Sequence, residues 1–220
     1  MKKIKSYYIP KEDKSYEIYF SKFDHYQEAQ RNRALAQVKN WNLAIDIGAN
    51  IGLWSRELTN FFDKTICFEP NLNSIKCLKK NIITKKAIIY NCALGSKNED
   101  KELFTSINSG ASSFINYVKV DYNSDGSKIY DKWPQGTKKQ LVKVKKLDEF
   151  NYYEIDFIKI DVQGYEFEVL KGAKKTLEIN SPIICIEEEY PENSRAIKFL
   201  ESLNYEIVDV ILKEHIFKKK

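Results

Sequence analysis

Apolar residues along this chain fall into two patterns, short unbroken runs and helical spacings. Their alternation predicts a sheet covered by helices. The run Leu43-Ala-Ile-Asp-Ile47 reads as a buried parallel strand, closed by a turn that carries Gly48 and Gly52. Leu53, Trp54, Leu58, Phe61 and Phe62 then recur at the spacing of an amphipathic helix. A strand over Thr65 to Glu69 leads to a helix near Ser74 to Ile82, with Ile75, Leu78 and Ile82 on one face, and to a strand over Ala87 to Asn91. After a polar interval from Asn98 to Lys139 comes a short strand, Leu141 to Val144. Phe157 to Asp161 leads into a helix over Tyr165 to Leu177, and Ile183 to Glu187 into a helix over Asn193 to Leu203. Tyr205 to Val210 and His215 to Lys218 read as a closing hairpin. Such a succession is that of an α/β domain, a mainly parallel sheet with helices on both faces and an antiparallel element from the last hairpin.

In an open sheet of this kind the ligand sits where strands end and helices begin, so the Gly48 turn is the first place to look. The dinucleotide pattern Gly-x-Gly-x-x-Gly fails here, because Asn50 stands at its second glycine. Asp46, just before the turn, would also repel a pyrophosphate. Both observations disfavour a nicotinamide oxidoreductase. An acid at that point suits a cation such as an amino acid's ammonium group. Glu69 ends the next strand 23 residues later, the distance at which an acid chelates a ribose diol. Ammonium and ribose together point to S-adenosylmethionine; the bland alternative is an ordinary βαβ turn with a helix-capping aspartate.

Several motifs then appear in series. Asp46-Ile-Gly-Ala-Asn-Ile-Gly52, Phe68-Glu-Pro70, Asn91-Cys-Ala-Leu-Gly95, Val144-Lys-Lys-Leu-Asp-Glu-Phe150, Phe157-Ile-Lys-Ile-Asp-Val-Gln-Gly-Tyr-Glu166 and Val169-Leu-Lys-Gly-Ala173 resemble, in order and spacing, the FkbM-like methyltransferases. The resemblance covers about residues 42 to 212; the first forty residues and Ser106 to Lys139 match poorly. It implies a Rossmann-like three-layer sandwich, S-adenosylmethionine as cofactor, and a cofactor site drawn from Asp46, Gly48, Ala49, Asn50, Gly52, Glu69, Pro70, Asn91, Cys92, Ala93 and Asp161. It also implies residues 1–40 as an N-terminal helical or lid segment ahead of a methyltransferase domain over 41–220. Gln163 departs from the family, which more often has Glu there.

Composition adds little to this picture. A chain of 220 residues, 43% of them hydrophobic, suits one α/β unit with a full core. The basic start, Met1 to Pro10, has no long apolar run behind it, which argues against a signal peptide, and no stretch reaches membrane-spanning length. Cys67, Cys77, Cys92 and Cys185 show no paired spacing, so they read as free, buried or half-buried thiols of a cytoplasmic protein, with no metal site expected. Net charge is +5 without an arginine and aromatic cluster, a balance better explained by solubility than by nucleic acid.

Methyl transfer needs donor and acceptor held in line and one proton removed. Asp161 ends an apolar strand facing the same crevice as Asp46 and is the first candidate base, or else holds the cofactor's amino group or caps the next helix. Glu187 ends the neighbouring strand, in a run from Glu187 to Glu189. Lys159 lies two residues before Asp161 and shares its strand face. That lysine and aspartate also occur in RNA 2′-O-methyltransferases, which makes nucleic acid the rival acceptor to a hydroxyl of a sugar, glycan or other small molecule; a non-catalytic cofactor-binding module is the third reading. His25 lies in an amphipathic segment that in related folds covers the cofactor. The interval 98–139 reads as a lid or substrate loop. Within it, Asp121 to Ser127 resembles a calcium loop but lacks the terminal Glu, since residue 132 is Lys.

Overall fold

The computed structural model describes residues 1–106, 109–114, 119–122, 128–131, 138–188 and 191–220. A short antiparallel hairpin, β1 (Lys2–Ile4) and β2 (Tyr7–Ile9), is followed by helices α1 (Ser15–Lys22) and α2 (Glu28–Leu35). Then come β3 (Leu43–Ile47), α3 (Leu53–Phe61), β4 (Lys64–Phe68), α4 (Leu72–Asn81) and β5 (Ala87–Tyr90). The middle of the chain forms β6 (Ala93–Leu94), β7 (Glu99–Thr105), β8 (Lys119–Tyr122), β9 (Lys128–Asp131) and β10 (Lys138–Lys145). Last are β11 (Ile155–Ile160), α5 (Glu166–Lys171), α6 (Lys174–Asn180), β12 (Ile183–Glu187), α7 (Arg195–Ser202), β13 (Tyr205–Ile211) and β14 (Glu214–Lys219).

The central sheet has seven strands in the order β13-β14-β12-β11-β3-β4-β5. β12, β11, β3, β4 and β5 pair in parallel, while β14 runs against both β12 and β13. All residues of β3 are buried because the sheet is covered on both sides. On one face Leu43, Ile45 and Ile47 pack with Val169, Leu177 and Leu200 of the later helices. On the other, Ala44 and Phe157 meet Ala34, Trp54, Leu58 and Phe62. Leu58 and Phe62 are sealed from solvent, each such side chain contributing about 1.5–3 kcal/mol by burial. The chain leaves β3 toward β4 and β5, then returns to β11 on β3's other side. The order reverses between β3 and β11, so a crevice opens at their carboxyl ends.

Two expectations are corrected here. The helix expected over Tyr165 to Leu177 is two helices, α5 and α6, because Gly172 packs where any Cβ would overlap the Gly95 carbonyl. The interval 98–139 is not one loop: β7 pairs with β10 over its length, and β10 pairs with β6, making a second sheet of three strands. β7 escaped notice because Glu99-Asp-Lys-Glu102 is polar on both faces, and only Leu103 is fully buried. Residues 123–127 of the segment that resembles a calcium loop lie outside the described residues. All four cysteines are buried and free. Among the described residues no helix is long and apolar enough to cross a membrane.

Candidate active site

A cavity of about 190 Å³ opens at the carboxyl ends of β3, β4, β11 and β12. Its floor holds Gly48, Asn50, Glu69, Pro70, Asp161 and Glu187; one wall is Tyr26 and Gln27, the other Ala93, Leu103, Ser112, Phe114 and Tyr165. A smaller cavity of about 30 Å³ adjoins it, lined by Asp46, Ala49, Lys159 and Tyr16, with Gly48, Asn50 and Asp161 common to both.

At the β4 end, Glu69 is 6% exposed and its two oxygens are held by main chain. The Asn50 N–H donates to Oε2 at 2.8 Å and the Asn71 N–H to Oε1 at 2.7 Å. Burial pushes its pKa up to about 7, a rise that those donors restrain. Asn91 lies behind, its Nδ2 donating to the carbonyls of Glu69 at 2.9 Å and Pro70 at 3.1 Å, so it ties down the strand end and does not line the cavity.

At the β11 end, Asp161 and Glu187 stand at the ends of neighbouring parallel strands and line the cavity together. The charge of Asp161, followed by burial, pushes Glu187 up to about 8. The Nε2 of Gln163 donates to Asp161 Oδ1 at 2.7 Å, so the residue where the family more often has Glu supplies a donor to the pair. Lys159 lies 3.9 Å from Asp161 Oδ2 and 3.1 Å from Glu214 Oε2 of β14. Burial alone would depress this lysine, but Glu214 and Asp161 more than offset it and raise its pKa, so it stays charged while sealed at 1% exposure.

The other expected residues divide between the two cavities and the surrounding packing. Asp46 faces the smaller cavity, accepts a hydrogen bond from Ser55 Oγ, and is pushed up to about 6 by burial. Gly48, with φ +81°, lines both cavities, and a Cβ there would also overlap the Asp161 carbonyl oxygen, so the glycine lets the ends of β3 and β11 close together. Gly52 and Cys92 line neither cavity. His25 is exposed, whereas its neighbour Tyr26 lies over the carboxyl pair. Of the acidic run, Glu187 faces the cleft and Glu188 accepts from Ser194 Oγ; Glu189 lies outside the described residues. Glu166 is buried and accepts from the Val162 and Gly164 N–H groups, both at 3.1 Å, shaping the loop after β11.

Tyr26, Gln27, Ser112, Phe114 and Tyr165 went unnoticed in the sequence. Tyr165 falls within the motif that follows β11, whereas the others stand outside the strand-end motifs, and only the amphipathic character of the N-terminal segment hinted at a cover.

The residues suit a cationic ribonucleoside. Carboxyls crowd the cleft, and Asn50 Oδ1 is buried there without a hydrogen-bond partner among the described residues. A reversed β14 beside parallel strands, with an acid-lined cleft at the switch point, defines a Rossmann-like methyltransferase. The chain belongs to the FkbM methyltransferase domain family, whose profile matches residues 46–207 and whose methyl donor is S-adenosylmethionine.

Solved structures agree on the fold. A methyltransferase FkbM from Methylobacillus flagellatus is 15% identical with a TM-score of 0.52, over 83% of this chain and 45% of that one. The chain thus spans under half the length of that relative. A precorrin 8W decarboxylase from Methanobacterium thermoautotrophicum is 11% identical (TM-score 0.52, 91% and 98% covered), and a ribosomal protein L11 methylase from Lactobacillus delbrueckii 8% (0.51, 90% and 81%). No curated protein matches.

Proposed function

We propose that this chain binds S-adenosylmethionine across the cleft and methylates a hydroxyl of a sugar, glycan or other small molecule. The observation that carries the reading is the Asp161–Glu187 carboxyl pair, open to the cavity and beside the cofactor's expected place. When bound, the cofactor supplies a methyl group already activated on a sulfonium. Glu69 and Asn50 hold the ribose, with Pro70 and Ala93 beside the base. Asp161 accepts the acceptor's hydroxyl proton, and Glu187 shares it. Gln163 and Lys159 fix the carboxylate of Asp161 from two sides, so it meets the hydroxyl in one orientation. Residues 1–40 act as the cover over this end, through Tyr16, Tyr26 and Gln27.

The crowding of carboxyls favours a neutral acceptor over a nucleic acid, whose phosphates they would repel. Incubating the protein with methyl-labelled S-adenosylmethionine and separated glycan, small-molecule and RNA fractions tests this. Label in the glycan or small-molecule fraction, absent with Asp161→Asn, is expected. Label confined to RNA would overturn the acceptor assignment, and cofactor binding with no label anywhere would make the chain a binding module.

A further inference from the structure

The bend at residues 25–27 is held more firmly than a covering loop requires. Tyr19 Oη donates to the His25 carbonyl at 3.2 Å and accepts from the Gln27 N–H at 3.1 Å. Arg31 Nη1 donates to the Tyr26 carbonyl at 2.8 Å, and Trp54 Nε1 donates to Gln27 Oε1 at 2.6 Å. Gln27 itself takes a left-handed conformation, φ 44°.

Three groups at this bend lack partners among the described residues. With its Oε1 taken by Trp54, the Gln27 amide can only donate, through Nε2, and it lines the cavity. The Tyr26 hydroxyl lines the same cavity with no hydrogen-bond partner. Burial, then Asp161 and Glu187, raises its pKa, so it too stays a donor. Behind them Arg31 is 4% exposed, its Nε is unpaired, and no carboxylate lies within ion-pair distance of it among the described residues. A buried guanidinium without a counter-ion is costly. Two neutral donors in front of an uncompensated cation make a place for an anion at one end of a cleft that is otherwise acidic.

Sheet order says which anion. A nucleoside whose ribose lies on Glu69, at the end of β4, extends its other end over β3 toward β11, two strand spacings of about 4.8 Å each. There the amino-acid end reaches the acidic floor, and its carboxylate has no cation to meet on that floor, since Lys159 is sealed against Glu214. We propose that Tyr26 and Gln27, backed by Arg31, form a carboxylate subsite for the amino-acid end of S-adenosylmethionine. The inference rests on the cofactor reading above.

Calorimetry with S-adenosylmethionine and with its decarboxylated analogue, which carries one more net positive charge, separates the two. An acidic cleft without a carboxylate subsite binds the more cationic analogue more tightly. The expected result is the reverse, a preference for S-adenosylmethionine of roughly tenfold or more, as for hydrogen bonds to a charged group. Tyr26→Phe should shrink that preference and Gln27→Glu should abolish or invert it, with thermal unfolding of Tyr26→Phe unchanged. A wild-type preference for the analogue would overturn the subsite, as would an undiminished preference for S-adenosylmethionine in both folded variants. Binding of neither ligand by the wild type would instead overturn the cofactor reading itself.

Discussion

The two ends of the cleft hold their carboxyls in different ways. Glu69 is fixed by two backbone N–H donors, groups that can neither rotate away nor titrate. Asp161, beside Glu187, is held by the side chains of Gln163 and Lys159. Main-chain anchoring gives a rigid acceptor suited to recognition. Side-chain anchoring gives a pair whose proton can leave. The contrast is what would let one small sheet edge both grip a ligand and run a proton transfer.

The contrast breaks most visibly at Asp161. Asp161→Asn is expected to lower turnover by roughly 10²–10⁴, the range for a general base, while cofactor affinity measured by calorimetry stays within a few-fold. Loss of affinity with turnover restored at saturating cofactor would move Asp161 from base to cofactor ligand. Gly48→Val joins the two ends, since it wedges β3 from β11: a loss of roughly 2–4 kcal/mol in urea unfolding is expected, from strain at positive φ and overpacking. A Gly48→Val protein as stable as the wild type, yet unable to bind cofactor, would favour the ligand-approach reading of that glycine.

Glu69→Ala should weaken S-adenosylmethionine by roughly 1–3 kcal/mol and free the Asn50 and Asn71 N–H groups at the same time. Glu69→Gln separates the effects, because an amide oxygen can still accept from one of them. Affinity lost fully in Glu69→Gln with unfolding unchanged would mark the charge itself as the determinant.

The smallest expected effect is on pH. Glu69 and Glu187 have pKa values raised by folding, to about 7 and about 8 from 4.5. Between pH 4.5 and 8 the unfolded chain therefore binds fewer protons than the folded one, so stability without ligand falls as pH rises through that window. A cationic ligand needs the ionised carboxyls, so its affinity should rise across pH 6–8, by roughly three- to tenfold, with proton release seen in buffers of different ionisation enthalpy. A flat affinity profile would mean the carboxyls stay protonated under the ligand.

Legibility divided along the same line as the anchoring. The floor could be read in advance because parallel strands are continuous apolar runs and their last residues fall at fixed places: Asp161, Glu187 and Glu69 all line the cleft. The walls could not. Tyr26 reaches the carboxyl pair through contacts between residues far apart in the chain, such as Trp54 with Gln27, and one position's difference exposes His25 while half-burying its neighbour. Asp46 is legible as a strand position, but its contact with Ser55 in the first turn of α3 is not. Strand ends are local facts, whereas covers are tertiary ones.

The ion pair between Lys159 and Glu214 carries a consequence for synthesis of the protein. Lys159 leaves the ribosome 55 residues before the glutamate that neutralises it. Until then the nascent chain must either keep β11 from packing or leave an ammonium group facing oil-like surroundings without its partner. The centre of the molecule can therefore mature only when its far edge has been translated, and a nascent chain arrested before Glu214 should hold its cleft open and inactive.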